Sequence, residues 1–182
     1  ERVEVVKVPT EKDAPEAKSG TPTCPRGMQL IKHRQNKWEP YCVDRYEFPG
    51  GGQIPMTGVS WFGADQACKR NGKRLCETKE WQRACGPKYP WGKTWNANAC
   101  NTEDKDELER SIAAAGSFKK CKSGGVYDMV GNVAEWTKGQ QVAGGDFRSG
   151  PERAQCYYAS RKSPGSSSGN VGFRCCADPE FK

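Results

Sequence analysis

Apolar and polar positions along this chain change period often, and no single period is held for long. Val3, Val5, Val6 and Val8, interleaved with Arg2, Glu4 and Lys7, predict a short, imperfect strand. Pro9 and a polar stretch over 11–20 follow and read as a linker. The body opens near Cys24. Pro25-Arg26-Gly27-Met28 is turn-like, and a strand is expected over 29–32. Over 41–48, Cys42, Asp44, Tyr46 and Phe48 fall on one face and Val43, Arg45 and Glu47 on the other, which predicts a second strand, broken by Pro49-Gly50-Gly51-Gly52. Ser60 is placed to cap a helix in which Trp61, Ala64 and Cys68 recur at i, i+3 and i+7, and Asn71-Gly72 ends it. Thr78 is expected to cap a second helix, with Glu80 in its first turn, Trp81 and Ala84 on its buried side and Gly86 as its stop. A third helix is expected over 103–115, capped by Thr102 and stopped by Gly116. From Gly124 onward, glycines and aromatics interleave, which predicts short strands and tight turns.

Composition sharpens this picture. The 182 residues suit one domain, with an extended arm over 1–22 and a body over 23–182. Only 35% of residues are hydrophobic, against 21 Gly and 12 Pro, so a loop-heavy fold with short elements is expected rather than a helical bundle. The ten cysteines change it most. No pair has CxxC spacing and His33, between Lys32 and Arg34, is the single histidine, so a zinc site is not expected. An even count in such a chain points to five disulfides and an oxidising compartment: periplasmic, outer-membrane-associated or secreted. Each bridge contributes about 2–4 kcal/mol, which offsets the modest apolar content. No apolar run reaches about 18 residues, so no transmembrane helix is expected. The chain starts at Glu1 with no apolar leader and reads as a mature or trimmed form. The net charge of +7 is spread among 22 acidic residues, and nucleic acid is not an expected partner. The arm is expected to dock on a protein partner by adding a strand to a sheet edge, with Val3, Val5 and Val8 as the partner-binding residues.

Several blocks then occur in a specific order: Gly58-Val59-Ser60-Trp61, Gly72-Lys73-Arg74-Leu75, Glu80-Trp81, Tyr89-Pro90-Trp91-Gly92, the run from Gly125 through Gly131-Asn132-Val133-Ala134-Glu135-Trp136, Gly144-Gly145 and Gly172-Phe173-Arg174. In order and spacing they resemble the formylglycine-generating-enzyme (sulfatase-modifying factor) family over about residues 54–178. The resemblance implies an α+β fold, a variant of the C-type-lectin fold with little regular secondary structure and many disulfides. It also implies two bridges, Cys68–Cys175 and Cys85–Cys156. The remaining six cysteines are assigned as Cys76–Cys176, Cys100–Cys121 and Cys24–Cys42, one choice among the many connectivities the sequence allows.

The family's oxidase holds copper on two close cysteines soon after its Gly-Gly-Ser block, as thiolates suit Cu(I). Here that stretch reads Gly144-Gly145-Asp146-Phe147-Arg148-Ser149-Gly150-Pro151. Both active-site cysteines are absent, Asp146 stands where the family has serine, and Cys156 matches a structural cysteine. Copper and sulfatase-type cysteine oxidation are therefore not expected. The related iron-dependent sulfoxide synthases use three histidines, which this chain lacks. Other periplasmic relatives without the cysteine pair serve in siderophore maturation, and on that reading Asp146 and Glu152 are the candidate acid–base groups. A lectin-like ligand-binding role is a further alternative, resting on the fold alone. The resemblance also implies a structural calcium site, with carboxylates from Asp128 and Glu135 and main-chain carbonyls from Gly131 and Val133; an all-oxygen set suits that hard cation. Of the tryptophans, Trp61, Trp81, Trp91 and Trp136 are expected in the core, with Trp38 and Trp95 outside it. These readings converge on a non-catalytic extracytoplasmic subunit of a larger envelope or surface assembly.

Overall fold

The computed structural model describes residues 20–33, 35, 37–103 and 110–182. The expected strand over 3–8, its partner-binding valines and most of the arm lie outside the described residues.

Two four-stranded sheets form the centre. In the first, β2 (Met28–Ile31) pairs antiparallel with β3 (Tyr41–Asp44), and β11 (Cys175–Ala177) lies between β3 and β4 (Arg74–Leu75). In the second, β7 (Ala134–Thr137) pairs parallel with β10 (Val171–Phe173) and antiparallel with β8 (Gln141–Ala143), which in turn pairs with β9 (Ala159–Arg161). A small hairpin joins β5 (Lys122–Ser123) to β6 (Val126–Tyr127). The pair β1 (Pro22–Thr23) and β12 (Glu180–Phe181) ties the ends of the body together, with Thr21 donating to the Lys182 carbonyl at 2.8 Å. Residues 20–22, expected in the arm, thus belong to the body. Because Cys175 and Cys176 follow Arg174 directly, one short segment serves both central sheets.

Among the described residues there are two α-helices. The first, α1 (Trp61–Arg70), begins where the Ser60 side chain accepts the Gly63 N–H at 3.2 Å and ends at Asn71, with Gly72 at φ +66°. It buries Ala64 and Cys68 against β4 and β7. The second, α2 (Thr78–Cys85), is capped one residue earlier than the sequence suggested. Glu77 is the N-cap, and the Glu80 carboxylate reaches back to its N–H at 2.9 Å. The Thr78 hydroxyl instead meets Thr137 and Gln141 at 2.8 and 2.9 Å, tying the helix start to the second sheet.

Two further expectations give way to side-chain demands. The strand expected over 41–48 stops at Asp44, after which the chain bends and carries Glu47 into the core. The helix expected over 103–115 is not formed at 110–114; residues 104–109 lie outside the described set. The backbone there bonds to asparagine side chains instead of to itself. Ala113 exchanges bonds with the Asn132 amide at 2.9 and 3.2 Å, and the Ser111 carbonyl accepts from Asn101 at 2.8 Å.

Cystine supplies much of the core. All ten cysteines lie among the described residues and form Cys24–Cys42, Cys68–Cys175, Cys76–Cys176, Cys85–Cys156 and Cys100–Cys121. All but Cys24 are fully buried. Trp81, Met129, Val43 and Val126 pack with three of these bridges in the main cluster, while Leu75, Trp136 and Phe173 centre a second. Trp81 and Trp136 are core, whereas Trp61 and Trp91 are only half-buried. Trp38 and Trp95, expected outside, pack on the edge of the main cluster; Trp38 lies 5.7 Å from the Tyr41 ring and carries Arg83 over its face at 4.7 Å.

Candidate functional site

The segment from Asp128 to Glu135 leads from β6 into β7. Its backbone demands glycine-like conformations: Asp128 and Asn132 both sit at φ 54° and Gly131 at φ 74°. A Cβ on Gly131 would collide with the Asn101 carbonyl and the Thr102 methyl, so glycine is required there on both counts. Gly144 has the same double constraint, at φ 81° with its Cβ position pressed against Met129 and the Trp81 ring. The family blocks at Gly131 and Gly144 are therefore places where two backbone segments approach too closely for a side chain.

Beneath this loop lies a buried polar core. Arg174, fully buried, grips Glu135 with a two-pronged contact, Nε to Oε2 and Nη2 to Oε1, each at 2.7 Å. Its remaining donors meet the carbonyls of Asp44 at 3.1 Å and Tyr127 at 2.8 Å. Trp81 Nε1 donates to Glu135 Oε2 at 2.7 Å. Glu47, also fully buried, accepts from Asn132 Nδ2 at 2.6 Å and from the Val133 N–H at 3.2 Å. Asp128 accepts the Gly116 N–H at 2.5 Å. Neither Glu47 nor Arg174 carries a signal in the sequence that assigns it this role. Glu47 sits in an ordinary alternating stretch, and Arg174 stands out only as the end of a family block.

Three buried carboxylates thus face one guanidinium. Burial, reinforced by Asp128 and Glu135, pushes Glu47 well above the usual carboxylate range, against the pull of Arg174. Burial likewise raises Asp128 to about 6, although the Gly116 N–H and Arg174 favour its charged form. An unneutralised buried carboxylate costs stability once it ionises, and protons or a bound cation can relieve that cost.

The sign follows from linkage. The folded pKa of Asp128 exceeds its unfolded value, so its contribution is full below about pH 4 and is lost as pH rises through about 6. In chelator, the urea midpoint is accordingly expected to fall as pH is raised across that window; an unchanged or rising midpoint would contradict this reading of Asp128.

The expected calcium ligands all lie on this loop. Two of them, Asp128 and Glu135, are buried carboxylates, and Gly131 and Val133 lie on the same turn. Glu135 is shared with Arg174 and Trp81, and its Oε1 accepts from Arg174 Nη2 at 2.7 Å where two acceptor sites exist. Among the described residues no group of three or more His, Cys, Asp or Glu gathers as a metal cage, so a calcium ion here would have to rest on two carboxylates and main-chain carbonyls. The excess buried negative charge fits such an ion. Copper does not fit, because every cysteine is bridged and no thiolate is left to bind it.

The altered loop after Gly145 is braced rather than open. Asp146 Oδ1 accepts the Arg148 N–H at 2.9 Å, and Oδ2 accepts the Arg148 guanidinium at 3.2 Å and the Asn170 amide. Its own N–H donates to Ser149 Oγ at 3.0 Å. Burial raises its pKa, but the Asn170 and Arg148 bonds outweigh burial and hold it below the usual carboxylate value. Such a carboxylate is ionised and occupied by donors, the opposite of a base poised to accept a proton near neutrality. Glu152 is exposed on the following turn.

A C-type-lectin-like α+β body with four small sheets, two short helices among the described residues and five bridges defines the class of this domain. The chain belongs to the family described as sulfatase-modifying factor enzyme 1-like domain, whose model matches residues 25–179. It is 31% identical over 161 residues to a Bos taurus protein named inactive C-alpha-formylglycine-generating enzyme 2, across 71% of this chain and 54% of that protein. The chain spans about half the length of such curated relatives. PvdO from Pseudomonas aeruginosa has the same fold, with a TM-score of 0.62 at 19% identity over 76% of this chain and 80% of that one. A Major Tropism Determinant variant, U1, shares it too, with a TM-score of 0.62 at 16% identity over 90% of this chain and 55% of that one. Five disulfides fit a secreted or otherwise extracytoplasmic protein.

Proposed function

We propose that this domain is a non-catalytic, extracytoplasmic interaction module, a subunit of a larger envelope or surface assembly. The observation that carries the proposal is the state of its cysteines. The family's copper chemistry requires two free thiolates, and here all ten cysteines are joined in pairs. The saturated Asp146 carboxylate removes the best alternative acid–base group in the altered loop. A curated relative named as an inactive enzyme supports the same direction. On this reading the fold serves as a rigid frame for loops, a calcium ion held by Asp128, Glu135 and the Gly131 and Val133 carbonyls steadies the loop above Arg174, and the arm with Val3, Val5 and Val8 engages a protein partner.

Thiol titration of the denatured, unreduced protein is expected to give no reactive thiol, and all ten after reduction. A cysteine-bearing sulfatase peptide incubated with the copper-loaded protein is expected to stay unoxidised. Two titratable thiols, or aldehyde formation on the peptide, would sink the non-catalytic reading. Native mass measurement of material from its source is expected to find the chain in a stoichiometric complex.

A further inference from the structure

A cavity of about 850 Å³ opens on the face formed by the turn at 26–27, the segment 44–53, the end of α1 and the loop 115–119. None of the residues discussed for catalysis after Gly145 lines it. Its size is that of a small-ligand site rather than of a protein groove.

The charges around it are unbalanced. Arg26, Arg45, Lys73 and Lys119 line the cavity against a single carboxylate, Asp44. Asp44 is already committed, to Lys73 Nζ at 2.6 Å and to the Cys175 N–H at 3.2 Å. Lys119 Nζ donates to the Gly116 carbonyl at 2.7 Å, which holds the ammonium in place without an ion pair. Arg45 is steadied by the Gln29 amide oxygen at 3.2 Å, again without a carboxylate. Arg26 has no ion pair or hydrogen bond among the described residues. Arg26 and Arg45 therefore line the cavity with no acidic partner, and Lys119, whose charge also acts on Asp128, adds a third cation.

The frame behind them is rigid. The Cys24–Cys42 bridge lies two residues before Arg26 and three before Arg45. Tyr46 is clamped: its ring stacks on Tyr127 with centroids 5.0 Å apart, and its two edges press on the Cα positions of Gly51 and Gly116, where a Cβ would come within 2.8 and 2.6 Å. The glycine run 50–52 leaves one wall without side chains. Gln53 and Asn71 place amides at the rim.

We propose that this cavity binds a small acidic sugar, one that carries a carboxylate or sulfate group. The guanidinium forks of Arg26 and Arg45 match the two-oxygen face of either anion. The amides and exposed glycine backbone suit ring hydroxyls. The apolar lining is confined to Phe48, Pro49, Ala115 and the clamped Tyr46 ring, and polar surface exceeds it. The proposal goes beyond the non-catalytic reading and does not depend on it.

Calorimetric titration of the full chain with a heparin-derived sulfated disaccharide, glucuronate, inorganic sulfate, maltose and an acidic peptide tests it. Saturable binding of the two acidic sugars is expected, falling steeply with added salt, with maltose silent and sulfate much weaker. R26Q and R45Q are each expected to weaken disaccharide binding about tenfold, since each removes a charge-assisted bond. K93Q, an exposed lysine outside the cavity, is expected to leave binding unchanged. Both arginines are exposed and pack no core, so the variants are expected to melt with the parent. No binding of either acidic sugar overturns the proposal. So does binding that R26Q and R45Q leave intact, equal affinity for inorganic sulfate, or preference for the acidic peptide.

Discussion

Arg174→Met is expected to destabilise the fold by about 3–5 kcal/mol, the usual consequence of stripping one partner from a buried ion pair. The size follows from what the substitution strands. Glu135 is 1% exposed, and it would keep the Trp81 indole but lose both guanidinium bonds. The carbonyls of Asp44 and Tyr127 would lose their donors in the same step. Glu47 and Asp128 would lose the buried positive charge that favours their ionised forms. Urea unfolding at neutral pH reads the effect directly. A loss below about 1 kcal/mol would mean that the pair is solvated and worth no more than a surface bridge. The companion double variant, E135L with R174M, separates charge from shape. It removes both ions at similar volume and is expected to recover a large part of the loss, because the cost lies mainly in the uncompensated charge rather than in the missing bond. Arg174→Lys is expected to behave like the methionine variant more than like the parent, as an ammonium cannot span both carboxylate oxygens and two carbonyls at once.

That core also marks the boundary of what the sequence makes legible. The cap of α1 could be read because it is local: Ser60, the i, i+3, i+7 apolar set and Asn71-Gly72 all act within one turn of the residues they terminate. The start of α2 was misplaced by one residue for an equally local reason. Glu77 is not a favoured cap by type, and what makes it one is the Glu80 carboxylate folding back to its N–H. The failures over 44–48 and 110–114 are of another kind. Glu47 leaves its strand pattern to satisfy Val133, 86 positions away, and Ala113 gives up helical bonds to serve Asn132, 19 positions away. Periodicity reports the environment of a segment, not a polar demand from a distant one.

The glycines stand between these cases. The blocks at Gly131 and Gly144 were recognisable as pattern, yet the reason for them, contact with Asn101 and with the Trp81 ring, exists only in three dimensions. The basic cavity was invisible for the same reason. Arg26, Arg45 and Lys119 are far apart in a chain whose cations look scattered, and only the turn at 26–27, the bend after Asp44 and the loop 115–119 bring them to one opening.

Removing the Cys68–Cys175 bridge by a paired substitution to alanine is expected to cost about 4–5 kcal/mol, and removing Cys100–Cys121 in the same way about 3 kcal/mol. The difference comes from the unfolded chain. The first bridge closes a separation of 107 residues and the second one of 21, and loop-closure entropy grows with the logarithm of that length. Native packing works in the same direction. Cys68 is the buried end of α1 and Cys175 opens β11, so this bridge fastens a helix to the strand that lies between β3 and β4, beside Leu75, Trp136 and Phe173. Cys100–Cys121 closes a short loop within the main cluster and joins no two sheets. Each variant would be compared with the parent by urea unfolding at equal pH and, because calcium is proposed for the neighbouring loop, in calcium and in chelator alike. A larger loss for the shorter loop would show that these bridges act mainly through native packing rather than by constraining the unfolded state. A loss below about 1 kcal/mol for Cys68–Cys175 would mean that α1 stays docked without its tether, and that the apolar contacts of Ala64 and Trp61 hold it unaided.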